Sequence, residues 1–205
     1  MVTILDGDLT ESLARDFASS ALVAWDTETS GLDWRADRLA LCQLHAPEVG
    51  TVLVRIQDDA PRHLAMLLSS ASVAKVFHHA PFDLRFMRAV WGVRGANVLC
   101  TKVASKLVSP AAPPGDHSLA SLTAGYLGVR LEKGAERVSD WSAPVLTEAQ
   151  VRYAVRDVEY LIPLLARLRE DLEATGRSEL YAECCAFLPA QVEVAVLGVD
   201  DVFAY

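Results

Sequence analysis

No apolar run in this 205-residue chain is long enough to span a bilayer, although hydrophobic residues make up 52% and mean hydropathy is +0.22. The opening Met1-Val2-Thr3-Ile4-Leu5-Asp6 has no basic stretch and does not read as a secretory signal. Cysteine is scarce, and Cys42, Cys100, Cys184 and Cys185 show no CxxC spacing. That argues against a zinc ribbon or a disulfide scaffold and fits reduced thiols in a cytoplasm. Internal repeats and low-complexity tracts are absent as well. What remains is a single α/β domain large enough for a full core, with no membrane contact. Its surplus apolar surface is expected to be buried between subunits.

Positive charge is also short: 19 Lys and Arg stand against 27 Asp and Glu, net −8. The deficit is uneven. Residues 1–59 carry 4 basic and 11 acidic groups, residues 60–169 carry 14 and 8, and residues 170–205 carry 1 and 8. The basic middle contains Lys75, Arg85, Arg88, Lys102, Lys106, Arg152 and Arg156, enough local charge for a few phosphates. The acidic ends argue against holding long duplex tracts by charge alone.

Against this background three motifs place acid where a fold would normally put apolar residues. Asp26-Thr27-Glu28 ends the apolar run Ala21–Trp25, Asp83 lies in Phe77-His78-His79-Ala80-Pro81-Phe82-Asp83-Leu84, and Asp157 closes Tyr153-Ala154-Val155-Arg156-Asp157. On a strand, residues i and i+2 share a face, so Asp26 and Glu28 should point together. Thr147 reads as a helix N-cap with Gln150 completing a capping box, and Tyr153 and Asp157 then lie one turn apart on one face. Grouped carboxylates repel one another and resist desolvation unless cations sit among them. An all-oxygen set suits two divalent cations, Mg²⁺ or Mn²⁺, and phosphodiester chemistry uses such ions ~3.5–4 Å apart.

Asp-Thr-Glu-Thr-Ser-Gly-Leu, His-His-Ala-Pro-Phe-Asp-Leu and Tyr-Ala-Val-Arg-Asp-Val-Glu-Tyr-Leu, in this order, resemble the three exonuclease motifs of the DEDD superfamily, tyrosine subclass. Cys100-Thr101-Lys102-Val103-Ala104-Ser105-Lys106-Leu107 and Ser139-Asp140-Trp141-Ser142 resemble the ribonuclease D branch. The motifs fall within about residues 20–170. Ribonuclease D itself continues into helical nucleic-acid-binding domains, for which a chain ending at Tyr205 leaves no room. The ending, Cys185–Pro189 and then Gly198–Tyr205, is similar to the short nano-RNase C family, which degrades very short oligonucleotides and forms a ring.

The resemblance implies a ribonuclease H-like mixed sheet flanked by helices, and a 3′–5′ exonuclease releasing nucleoside 5′-monophosphates. By that reading Asp26 bridges both ions, Glu28 and Asp157 complete the site of the ion carrying the attacking water, and Asp83 helps hold the second. Tyr153 positions that water, since a phenol with pKa near ~10 is a poor base. Thr27, His79, Phe82, Lys102 and Lys106 are the candidate contacts to single-stranded RNA or DNA. The chain departs from the family at His79, where Asn is common, at Pro81, and in Lys133–Val138, which lacks the glutamine usual before Ser-Asp-Trp.

Periodicity predicts strands near 21–28, 38–45, 51–56 and 73–78, and helices near 60–69, 82–91, 101–108 and 117–127. A long helix over 148–174 should be kinked by Pro163. Within the tail 178–205, Gln191–Val196 alternates as an edge strand or extended arm would. Trp25, Trp34 and Trp91 read as core or rim, and Asp140-Trp141 as a structural anchor. The competing functions are trimming of structured RNA ends, a non-catalytic nucleic-acid-binding module, and a purely structural assembly protein. Intact acids at every motif position count against the last two.

Overall fold

The computed structural model describes residues 2–57, 60–131, 139–199 and 201–204. The central strand β2 (Leu22–Thr29) alternates poorly because both its faces are covered: Val23, Ala24 and Trp25 are all buried. On one side it pairs antiparallel with β3 (Leu39–Ala46), which pairs with β4 (Gly50–Arg55) and, through it, with β1 (Val2–Asp6). On the other side β2 runs parallel to β5 (Ala74–Phe77), and β5 to β6 (Val98–Cys100). The sheet order is β1-β4-β3-β2-β5-β6, with helices against both faces, as expected for a mixed sheet.

The helices α1 (Glu11–Ala18), α2 (Arg62–Ser69), α3 (Ala80–Trp91), α4 (Thr101–Val108) and α5 (Leu119–Leu127) precede α6 (Glu148–Glu159), α7 (Leu161–Ala174) and α8 (Ser178–Val196). The main core joins β2, β5, α3 and α7 through Trp25, Phe77, Phe86, Leu161, Leu164 and Leu168. Trp25 stacks on Phe77 at 6.2 Å and meets Trp91 at 6.4 Å. A second, smaller core of Leu41, Leu53, Trp141 and Ala154 seats α6 on the opposite face of the sheet.

Several expectations need correction. The long helix is two helices, separated at Tyr160, and Pro163 lies in the first turn of α7, where a missing N–H is tolerated. The tail segment Gln191–Val196 is neither strand nor arm. It is the last part of α8, because Tyr181, Cys185, Leu188, Val192 and Ala195 recur at helical spacing and are buried, outweighing the local valine alternation. Glu193 there also pairs with Arg88 at 2.7 and 3.0 Å. Periodicity does not predict β1, a short edge strand with no fully buried residue, or α1, in which only Phe17 is buried. Segment Lys133–Val138 lies outside the described residues.

Candidate active site

The acids converge where β2, α3 and α6 meet. Asp26 and Glu28 project from the second half of β2, and α6 brings Asp157 against them, so that one carboxylate oxygen from each lies within 4.8 Å of the others. The capping box that starts α6 is as expected: Thr147 Oγ1 accepts from the Gln150 N–H, and Gln150 Oε1 from the Thr147 N–H. Gln150 Nε2 also donates to Ser139 Oγ and the Asp140 carbonyl, tying the Ser-Asp-Trp loop to this helix. Trp141, 2% exposed, then packs against Tyr153 with ring centroids 5.8 Å apart.

Asp83 enters from α3. His79, the N-cap of that helix, adopts a left-handed backbone at φ 72°, a conformation asparagine also tolerates. Pro81 falls in the first turn, where no N–H partner is lost. Asp83 is 2% exposed and accepts from Thr27 Oγ1 at 2.7 Å, so Thr27 holds this carboxylate rather than standing free.

Together Asp26, Thr27, Glu28, His79, Phe82, Asp83, Lys102, Tyr153 and Asp157 line one open cleft of about 740 Å³. Lys106 does not line it; it is exposed one turn further along α4, although its charge reaches His79. The remaining wall comes from His78, Leu131 and Ser118–Ala120 at the start of α5. Ser118 is legible as an N-cap, its Oγ accepting from the Ser121 N–H, but a cap signal says nothing of where the helix points. Gln43, which donates to Glu28 at 3.3 Å, was not among the candidates at all.

The electrostatics follow from burial. Desolvation, and then the charges of Asp157 and Asp83, push Glu28 up to about 9. Asp26 is raised well above the ordinary range by burial and by Asp83, Asp157 and Glu28. Asp83 and Asp157 are both pushed up to about 7, chiefly by burial. Burial and the same carboxylates drive the Tyr153 phenol far upward, and its hydroxyl hydrogen-bonds to Asp157. His78, lowered to about 3 by burial, stays neutral with Nδ1 2.8 Å from Thr101 Oγ1. His79 is lowered by partial burial and by the charges of Lys102, Lys106 and Arg85.

The wider basic group is not all available to phosphate. Lys75 is fully buried, its ammonium donating to the Ser70 and Val73 carbonyls. Arg88 is held by Glu193, and Arg152 reaches Glu148 at 3.4 Å. The i,i+4 partner of Arg152 is visible in the local sequence, whereas the partner of Arg88, 105 residues away, is not.

A cluster of buried and half-buried acids on the second half of a central strand and the helices beside it, with Lys102 in the same cleft, marks a nuclease-like site on this scaffold. The family model described as 3'-5' exonuclease matches residues 1–173, and the chain belongs to that family. It is similar to ribonuclease D of Escherichia coli strain K12, 31% identical over 199 residues that cover 96% of this chain and 52% of that protein. Ribonuclease D of Gluconacetobacter diazotrophicus is 39% identical over 132 residues, 64% of this chain and 32% of that one. The chain therefore spans between a third and about half the length of these curated relatives. Among solved structures, Brucella melitensis NrnC superposes with a TM-score of 0.92 at 33% identity, covering 100% of this chain and 98% of that one. NrnC structures bound to pGG and with bound Mg²⁺ superpose at 0.90. Escherichia coli RNase D gives 0.80 at 26% identity, over 52% of its length. These neighbours share the ribonuclease H-like exonuclease fold and, in NrnC, the full extent of the chain.

Proposed function

We propose that this protein is a 3′–5′ exonuclease that hydrolyses short single-stranded RNA or DNA oligonucleotides to nucleoside 5′-monophosphates. The observation that carries this reading is the meeting of Asp26, Glu28 and Asp157 within 4.8 Å, in one cleft with Asp83 and Tyr153. The donor set fits divalent cations: it is all oxygen, each member is disfavoured as an anion by burial, and Asp26 and Glu28 are disfavoured further by the carboxylates beside them. Asp26, Glu28 and Asp157 would hold one ion, and Asp83 would help hold a second. Bound there, Mg²⁺ or Mn²⁺ supplies a lowered pKa for water and neutralises charge on the phosphoryl oxygens.

The chain's own groups orient the reaction. Hydrolysis forms one P–O bond from water and breaks the bond to the 3′ oxygen of the preceding nucleotide. Tyr153 keeps its proton because its surroundings oppose the phenolate, so it positions the water and the scissile phosphate rather than acting as base. Trp141 backs its ring. Lys102 offers an ammonium to phosphate, and Phe82 a ring face to a base.

The short substrate is supported by the NrnC structure with pGG and by a cleft in the size range of small-ligand sites. The 31% identity to ribonuclease D favours a second reading, trimming of structured RNA ends. Digestion of 5′-labelled oligonucleotides from two to twenty residues, as RNA and DNA with Mg²⁺ or Mn²⁺, separates them. Complete conversion to monophosphates, dinucleotides included, is expected; accumulation of dinucleotides would favour trimming.

Assembly into a closed homo-oligomer, a ring, belongs to the same proposal. Leu197 and Phe203 are about four-fifths exposed, Phe203 touching Phe187 at 5.9 Å, and apolar groups so placed are normally covered by a neighbour. No helix among the described residues is long and apolar enough to cross a membrane. A cytoplasmic setting accords with four unpaired cysteines.

A further inference from the structure

Gln43 occupies a place where an amide is costly. Strand β3 is buried along its length except at His45, and Gln43 is 0% exposed. A buried amide is destabilising unless its donors and acceptor find partners, and an aliphatic side chain would fill the same space without that demand. The register sets Gln43 directly across from Asp26, and Glu28 across from Leu41. Gln43 therefore shares a face with both carboxylates and lies diagonal to Glu28. Its Nε2 donates to Glu28 Oε1 at 3.3 Å, while its Oε1 is buried with no hydrogen-bond partner among the described residues. The bond that the amide does make goes to a carboxylate of the acidic cleft.

We propose that Gln43 is a positioning residue of the metal site, holding the Glu28 carboxylate in the orientation that leaves its second oxygen for the ion. The inference rests on the reading of Asp26, Glu28 and Asp157 as ligands. Outer groups that orient ligating carboxylates in this way govern metal affinity by about 10–100-fold.

The test is Mn²⁺ titration of the full chain, followed by electron paramagnetic resonance, for wild type, Gln43→Met and Gln43→Leu, with urea denaturation of each in EDTA. Both variants keep apolar bulk in a buried strand, so the metal-free midpoint should hold or rise. The Kd for Mn²⁺ should increase about 10-fold or more. At saturating Mn²⁺, kcat should recover toward wild type with KM for a dinucleotide unchanged. A Kd within twofold of wild type in either variant would overturn the inference. So would an affinity loss matched by a fall in the EDTA midpoint, which would assign Gln43 to packing. Wild type without saturable Mn²⁺ binding would overturn the site reading itself, and the inference with it.

Discussion

Asp83→Asn removes one charge from the cleft with little change of shape, and its effect can be worked out in advance. Asp83 is 2% exposed, its carboxyl is pushed from the ordinary 3.8 up to about 7 by burial, and it accepts from Thr27 Oγ1. An Asn Oδ1 can accept the same bond. In the unfolded chain the group titrates near ~4. Below that pH both states carry the proton and no penalty exists. Between about 4 and 7 the unfolded chain releases a proton that the native state retains, so stability falls as pH rises, and the penalty is complete above 7. At about 1.4 kcal/mol per pH unit this amounts to a ceiling of about 4 kcal/mol, on the order of 10 °C for a domain of this size.

Urea denaturation in EDTA from pH 4 to 8.5 measures the difference. The variant should match wild type near pH 4, gain steadily, and exceed it by about 2–4 kcal/mol at pH 8. Adding Mg²⁺ at pH 8 should stabilise wild type more than the variant, because only a ligand that binds the native state shifts the balance. A difference that does not change with pH, or a wild type that is the more stable at pH 8 without metal, would refute the account of a strained acid site.

Asp26→Ala should abolish hydrolysis of a labelled dinucleotide while melting in EDTA no lower than wild type, since one self-repelling charge is gone. Tyr153→Phe should fold normally and bind Mn²⁺ as wild type does, yet lose on the order of 10²-fold in single-turnover rate; an unchanged rate would return Tyr153 to the core. Deleting residues 197–205, which spares α8 and its Glu193–Arg88 pair, should yield smaller species by light scattering. A monomeric mass for the intact chain at micromolar concentration would end the oligomer proposal.

What could be read from the chain alone was whatever local periodicity determines. Asp26 and Glu28 two apart on a strand, Tyr153 and Asp157 four apart on a helix, and Thr147 with Gln150 at its start all follow from spacing. Partnerships across long separations did not. Thr27 and Asp83 lie 56 residues apart, Arg88 and Glu193 are 105 apart, and Gln43 faces Glu28 only through the register of β2 and β3. Lys75 shows the same limit from the other side, since a basic residue on β5 reads as a phosphate contact until the fold closes over it. In the tail, six residues of valine alternation imitate a strand locally, but the buried stripe of the preceding turns of α8 extends through them and makes them helix.

The same connections explain how the fold tolerates an acid cluster. Each carboxylate is attached within a few residues of fully buried apolar anchors: Trp25 for Asp26 and Glu28, Leu84 and Phe86 for Asp83, Ala154 and Val158 for Asp157. Those anchors belong to two cores on opposite faces of the sheet, so the acids cannot relax apart without disturbing packing on one side or the other. The cost is therefore held rather than relieved: burial raises all four carboxyl pKa values, and repulsion raises those of Asp26 and Glu28 further. Under the proposed function, divalent cations entering the cleft would find their ligands already gathered, with the unfavourable step completed during folding. On this view the large hydrophobic fraction of the chain and the clustered charge in its cleft are two parts of one arrangement, the first supplying the rigidity that the second requires.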